Sequence, residues 1–227
     1  MSAIFVTATG TDVGKTFVTA GLVSVLRERG RAVEALKPVV TGFAPETAEA
    51  SDPGVLLVAL GRPVTQHDIA RMSPWRFTAP LSPDLAAGRE GRTLDFAALV
   101  TFSRDAIAAH KDVLLIEGVG GIMAPLDDRH TVLDWMVALG VPVLLVAGSY
   151  LGTISHTLSA LDVLERHAVN VAAVVISESE NSSVPLDDTA ASIAKFARSR
   201  EVLALPRLSG GGSGHTVFGE LAELVTR

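Results

Sequence analysis

An α/β domain on a doubly wound, mostly parallel sheet is the fold this sequence predicts, and three observations predict it. Short β-branched apolar runs recur along the chain, and between them lie longer stretches with an apolar residue at every third or fourth position. The runs show no apolar–polar alternation, so each strand is expected to be covered by helices on both faces.

Taken in order, the first run is residues 3–8, followed at 16–29 by a helical pattern that puts Val18, Leu22, Val25 and Leu26 on one face and stops at Gly30. A second strand at 33–36 ends before Pro38, which forces Lys37 into an extended conformation. A helix at 94–110 leads to a strand at 113–116, and the strand at 141–147 lies between two helical segments, the second at 154–167. A strand at 171–176, a helix at 187–200 and a strand at 202–205 follow. The run S-G-G-G-S-G at 209–214 reads as a flexible connector before a last helix at 216–225. Residues 43–52 and 62–92 are rich in Pro, Ala, Thr and Asp and lack periodicity, so they are expected to be long surface connections. Loops of that length in a compact domain are commonly functional, which makes both candidate active-site walls. No repeat or second boundary interrupts the chain, so residues 1–227 read as one domain.

Composition excludes several classes. The 227 residues include no Cys, which rules out disulfides, thiolate zinc sites, iron–sulfur clusters and a cysteine nucleophile on this chain. With 19 Lys+Arg against 25 Asp+Glu the net charge is −6, so no nucleic-acid partner is expected. The mean hydropathy of +0.39 raises the question of a membrane. The uncharged stretch 135–160 is broken by Gly140, Pro142, Gly148, Ser149, Gly152 and His156 into pieces too short to span. The first positive charge is Lys15, beyond a Thr/Gly loop, which is not the pattern of a signal peptide. The chain is therefore expected to be cytoplasmic, with no membrane partner.

The chemistry concentrates in three places. Ala8–Thr16, A-T-G-T-D-V-G-K-T, follows an apolar strand and opens a helix, the setting of a phosphate-binding loop. Its backbone N–H groups and the positive helix end would cradle phosphates, Lys15 would reach the terminal ones, and the Thr16 hydroxyl would ligate magnesium. The spacing departs from G-x-x-x-x-G-K-[ST], since Thr9 stands where that pattern has Gly. In L-L-I-E-G-V-G-G, Leu114–Gly121, Glu117 ends a hydrophobic strand beside that loop, where it can hold magnesium or its water. In K-P-V-V-T-G, Lys37–Gly42, a second lysine points from a strand's carboxyl edge, where it would stabilise charge on a transferring phosphoryl group. No N-K-x-D, G-x-S-x-G or H-x-x-x-H occurs, so a GTPase, a serine hydrolase and a zinc enzyme are disfavoured. The residues alone predict a magnesium–ATP enzyme that moves phosphate onto a small acceptor.

These motifs, together with Ser51–Asp52, P-L-S-P at Pro80–Pro83, L-G-T-I-S-H at Leu151–His156 and L-P-R-L at Leu205–Leu208, closely resemble the dethiobiotin synthetase family, in order and from residue 3 to about 208. The resemblance implies a homodimeric P-loop ligase that closes the ureido ring of dethiobiotin from 7,8-diaminononanoate, CO2 and ATP with Mg2+, through a carbamate and a carbamic–phosphoric anhydride. It implies that Lys15 and Lys37 flank the phosphoryl group, that Thr11 and Thr41 face the carbamate, and that Thr16, Asp52 and Glu117 hold magnesium. ATP contacts would come from Asp12, Val13, Gly14 and Phe17 around the loop, from Gly118, Val119 and Gly120, and near the base from Ser177, Glu178, Pro206, Arg207 and Leu208. Gly152, Thr153 and Ser155 would bind the substrate carboxylate of the neighbouring subunit.

The sequence departs from the family pattern at four places. Ala8 replaces the first loop Gly, Asp84 a His, Ser155 an Asn, and Ser177–Glu178 an Asn–Asp pair associated with adenine. Two other functions share the phosphate loop. A partition-type ATP switch carries a lysine early in that loop, where this chain has Gly10. Another P-loop amide- or carbamate-forming ligase that draws nitrogen from glutamine needs a cysteine that is absent.

Overall fold

The computed structural model describes residues 2–180, 182–198, 200–208 and 215–226; the Gly/Ser run at 209–214 lies outside them. Strands β1 (Ser2–Ala8), β2 (Val33–Leu36), β5 (Val113–Glu117), β6 (Val143–Gly148), β7 (Val171–Ser177) and β8 (Glu201–Leu205) form one sheet in the order β2-β5-β1-β6-β7-β8. Every pair in it is parallel. The doubly wound fold read from the apolar runs is therefore the fold of the chain. Strand order reverses direction at β1, and in such sheets ligands bind at the carboxyl ends near that switch.

The absence of alternation in the strands follows from two cores. Ile4, Val6 and Ala8 of β1 pack on one side with α1 (Lys15–Glu28), α2 (Asp52–Ala59) and α9 (Thr216–Thr226). Phe5, with Leu114 and Ile116 of β5, packs on the other with α5 (Phe96–Ala109), α6 (Val132–Leu139), α7 (Thr153–Arg166) and α8 (Leu186–Ala194). Successive side chains of a strand point to opposite faces, so both sets must be apolar. Trp135 anchors the second core edge-on to Phe5 at 4.8 Å, and its indole N–H donates to Ser103 Oγ at 3.1 Å.

Three expectations are corrected. Residues 43–52 and 62–92 are not unstructured: they contain a 3-10 turn (Pro45–Ala50), α3 (Gln66–Met72), β4 (Trp75–Phe77) and α4 (Pro83–Arg89). Helices of seven residues make barely two turns, too few for a period to show in sequence. Beyond Pro38 the chain resumes as β3 (Val39–Thr41), which pairs in parallel with β4 as a separate two-stranded sheet. Helix α8 ends at Ala194, short of residue 200, and Arg198 takes a left-handed conformation (φ 50°) that no helix continues through. Among the described residues no helix is long and apolar enough to cross a membrane.

Candidate active site

The loop between β1 and α1 closes over the carboxyl end of the sheet. Gly14, the residue before α1, has φ 94°, and a Cβ there would lie 2.7 Å from Ser177 Oγ. Both the left-handed backbone and the neighbouring strand end demand glycine. Asp12 is also left-handed at φ 57°, a strain of the kind that collects at functional turns. Lys15 is 7% exposed, and its Nζ folds back to donate to the Gly10 carbonyl at 3.0 Å. Burial, reinforced by the charge of Lys37, lowers its pKa from 10.5 to about 8.

Four side chains meet beneath that loop, from α1, α2, β5 and the link between β2 and β3. Thr16 Oγ1 lies 2.8 Å from Asp52 Oδ1 and 2.7 Å from Glu117 Oε1. Lys37 Nζ lies 2.6 Å from Glu117 Oε1, 2.9 Å from Asp52 Oδ2 and 2.8 Å from the Gly118 carbonyl. Burial alone would discharge Lys37, but Glu117 and Asp52 outweigh it and raise its pKa above the usual lysine value. Burial likewise works against the charge of Asp52, and Lys37 overcomes it, so that its pKa falls below the ordinary value.

The arrangement fits a small, hard divalent cation. The Thr16 hydroxyl has one proton to offer two carboxylates, and Glu117 Oε2 is buried without any hydrogen-bond partner. Such an orphaned carboxylate oxygen calls for positive charge. Among the described residues no three His, Cys, Asp or Glu side chains form a metal cage. Two carboxylates and a hydroxyl suit magnesium, which takes its remaining ligands from phosphates and water.

The crevice above this cluster has a volume of about 780 Å³. Thr11, Asp12, Gly14, Lys15, Thr16, Phe17, Lys37, Thr41, Asp52, Val119 and Gly120 line it, as the motifs lead one to expect. Val13 instead points into the core under the loop, and Glu117 and Gly118, at the end of β5, do not line the crevice but meet Lys37, which does. The walls include Ala50, Ser51 and Pro80–Pro83, from the two stretches that lacked periodicity. Gly42 and Gly121, the last residues of two of the motifs, also line it without having been singled out, and so does Ala124, which only its nearness to a motif could have marked. Ser177 stands against Gly14, while Glu178 accepts the Arg207 N–H at 2.8 Å and so touches the segment that contains Pro206, Arg207 and Leu208. Gly152, Thr153 and Ser155 do not line the crevice of their own chain. Thr153 is buried, its hydroxyl donating to the Gly148 carbonyl at 2.6 Å, whereas Gly152 and Ser155 face outward beside Leu151, which is 80% exposed.

Residues 2–211 match the AAA domain family. An ATP-dependent dethiobiotin synthetase of Methylobacterium nodulans is 51% identical over 218 residues, covering 93% of this chain and 95% of the relative. The chain belongs to the dethiobiotin synthetase family. A second relative of that name, from Caulobacter vibrioides, is 46% identical over 218 residues, 96% of this chain and 98% of its own. Among solved structures, a MinC:MinD cell division complex of Aquifex aeolicus aligns with TM-score 0.53 at 13% identity, covering 100% of this chain and 93% of that one. The Pyrococcus furiosus cell division ATPase MinD gives 0.52 at 18% identity, covering 99% and 98%. At such identities these two establish a shared fold alone.

Proposed function

We propose that this chain is an ATP-dependent ligase that closes the ureido ring of dethiobiotin from 7,8-diaminononanoate, CO2 and ATP, releasing ADP and phosphate. The observation that carries it is the placement of two lysines around one crevice, Lys15 at the start of α1 and Lys37 just beyond the end of β2. Phosphoryl transfer asks for positioned positive charge and for nothing covalent from the protein. One amine captures CO2 as a carbamate and loses a proton. The carbamate oxygen takes the γ-phosphoryl group, and the second amine displaces phosphate from the anhydride. Thr11 and Thr41 orient the carbamate at the crevice rim, and Lys15 and Lys37 hold the transferring oxygens. Thr16, Asp52 and Glu117 would hold magnesium, which neutralises charge on the phosphates when bound. Val13, Gly14 and Phe17 with Gly118–Gly120 frame the phosphates, and Ser177, Glu178 and the 206–208 segment flank the base. The chain works as one domain in a cytoplasmic homodimer, in which Gly152, Thr153 and Ser155 serve the partner's crevice.

Protein, Mg2+–ATP, bicarbonate and the diamine should yield ADP and a cyclic urea, resolved by mass spectrometry. ADP without the urea would leave a switch ATPase.

Proton uptake gives a further expected result. Lys15 has a folded pKa near 8 against 10.5 unfolded, so between those values the unfolded chain carries a proton that the native chain lacks. Its contribution to stability therefore rises as pH climbs from about 8 towards 10.5, and the buried charge is penalised below that window. Phosphate oxygens replacing the Gly10 carbonyl favour the ammonium, so ATP binding at about pH 8.5 takes up a proton, and at about pH 6.5 almost none. Calorimetry in buffers of different ionisation enthalpy measures this; a buffer-independent heat at the higher pH rules it out.

Base selectivity is expected to be low. Ser177 offers one hydroxyl where the family pattern has an amide, and the Glu178 carboxylate is engaged with Arg207. The lost amide contact is worth about 1–2 kcal/mol, so kcat/KM for ATP should exceed that for CTP, GTP or UTP by less than about a hundredfold. A larger ratio would show that backbone groups of the 206–208 segment read the base unaided.

A further inference from the structure

Side chains join the carboxyl ends of β6, β7 and β8 beyond the point where their ladder stops. Gly148, last in β6, pairs in register with Ser177, last in β7. Just beyond, the Ser149 N–H donates to Ser179 Oγ at 3.0 Å and the Ser179 N–H donates to Ser149 Oγ at 3.0 Å. Each hydroxyl thus serves the other residue's backbone in a closed ring. Ser149 is fully buried, and the Ser182 hydroxyl donates to its carbonyl at 2.7 Å. Gly148 has to be glycine for the ring to form, because a Cβ there would lie 2.6 Å from Ser179 Oγ. The Glu178 N–H donates to the Leu205 carbonyl at 2.9 Å and its carboxylate accepts the Arg207 N–H at 2.8 Å, so the connection continues to β8.

The two ends of this brace lie in different ligand regions. On one side Gly148 accepts the Thr153 hydroxyl and fixes the start of α7. On the other, Ser177 abuts Gly14 of the phosphate loop. We infer that Ser149 and Ser179 are positioning residues that couple nucleotide binding in one crevice to binding of the diamine carboxylate at the start of α7. The inference rests on the proposed reading that α7 serves the partner's crevice. A nucleotide seated on the phosphate loop bears on Ser177 through Gly14 and on the α7 start through the serine ring, so both ligands favour one placement of the brace. Linkage requires the effect to be reciprocal.

Calorimetric titration of the dimer with 7,8-diaminononanoate, with and without Mg2+ and the β,γ-imido analogue of ATP, tests this. In wild type the analogue should tighten diamine binding by about fivefold or more. Ser179→Ala should bring that factor close to one and raise the KM for diamine at saturating ATP, leaving kcat within about twofold. Ser179→Thr, which keeps the hydroxyl, should restore both values. Ser149→Ala breaks the same ring from the other side and supplies the reading if Ser179→Ala does not fold. Coupling absent from wild type, or retained in the folded alanine variant, overturns the inference. Failure of wild type to form the cyclic urea is a different result and overturns the proposed function instead.

Discussion

Lys37→Ala is expected to lower the turnover of ring closure by about 10²–10³-fold while changing the KM for ATP far less. Lys37 is 2% exposed, and its ammonium is held by Glu117 Oε1, Asp52 Oδ2 and the Gly118 carbonyl at 2.6–2.9 Å. A charge fixed in that way needs no reorganisation when negative charge spreads over the transferring phosphoryl oxygens. The same geometry predicts a second effect. Glu117 is 0% exposed, and without Lys37 the Thr16 hydroxyl is the one hydrogen-bond partner left to its side chain among the described residues. Breaking a buried ion pair by removing one partner costs about 3–5 kcal/mol, so the ligand-free variant should melt well below wild type. Mg2+–ATP should then return more of the lost Tm in the variant than it adds to wild type, because cationic charge beside Glu117 is what the variant lacks. Single-turnover kinetics and melting curves with and without Mg2+–ATP read the two effects. Near-normal turnover would remove Lys37 from the chemistry.

The other large effect is complementation between subunits. A Lys15→Ala chain lacks the phosphate-loop ammonium, and a Ser155→Glu chain carries a carboxylate at the start of α7, where it repels an anionic substrate group. Ser155 is exposed, and an acidic residue in the first turn of a helix favours the helix, so this variant should fold. Each homodimer assayed at low diamine should be close to inactive. Co-expressed, half of the dimers are hybrids with one of two crevices intact, which gives about a quarter of wild-type activity. An active monomer in sedimentation, or no recovery in the mixture, would show that each crevice is complete within one chain.

How much of this was legible follows from the range of each signal. An apolar run is a local signal, since burial on both faces demands apolar residues at every position, and the runs at 3–8, 113–116 and 171–176 lie within β1, β5 and β7. The phosphate loop was legible for the same reason: strand, turn glycine, lysine, threonine and helix are contiguous in the chain. Glu117 and Lys37 became candidates through their places at strand ends, and Asp52 through motif likeness. Helices α3 and α4 and the pair β3–β4 were not legible, because elements of three to seven residues hold too little periodic information and depend on the contacts that cover them.

The sequence by itself determined the types of the longer elements and the doubly wound sheet, and it nominated the residues expected to carry chemistry. Tertiary structure alone decided which of them meet. Thr16 and Glu117 are 101 positions apart and come within 2.7 Å because β1 and β5 are neighbours in register, Ser2 opposite Val113. The same ordering set Ser149 against Ser179, turned Glu178 toward Arg207 and left the start of α7 outside its own crevice. Strand order and register are fixed by packing summed over residues remote in the chain, and no local pattern records that sum.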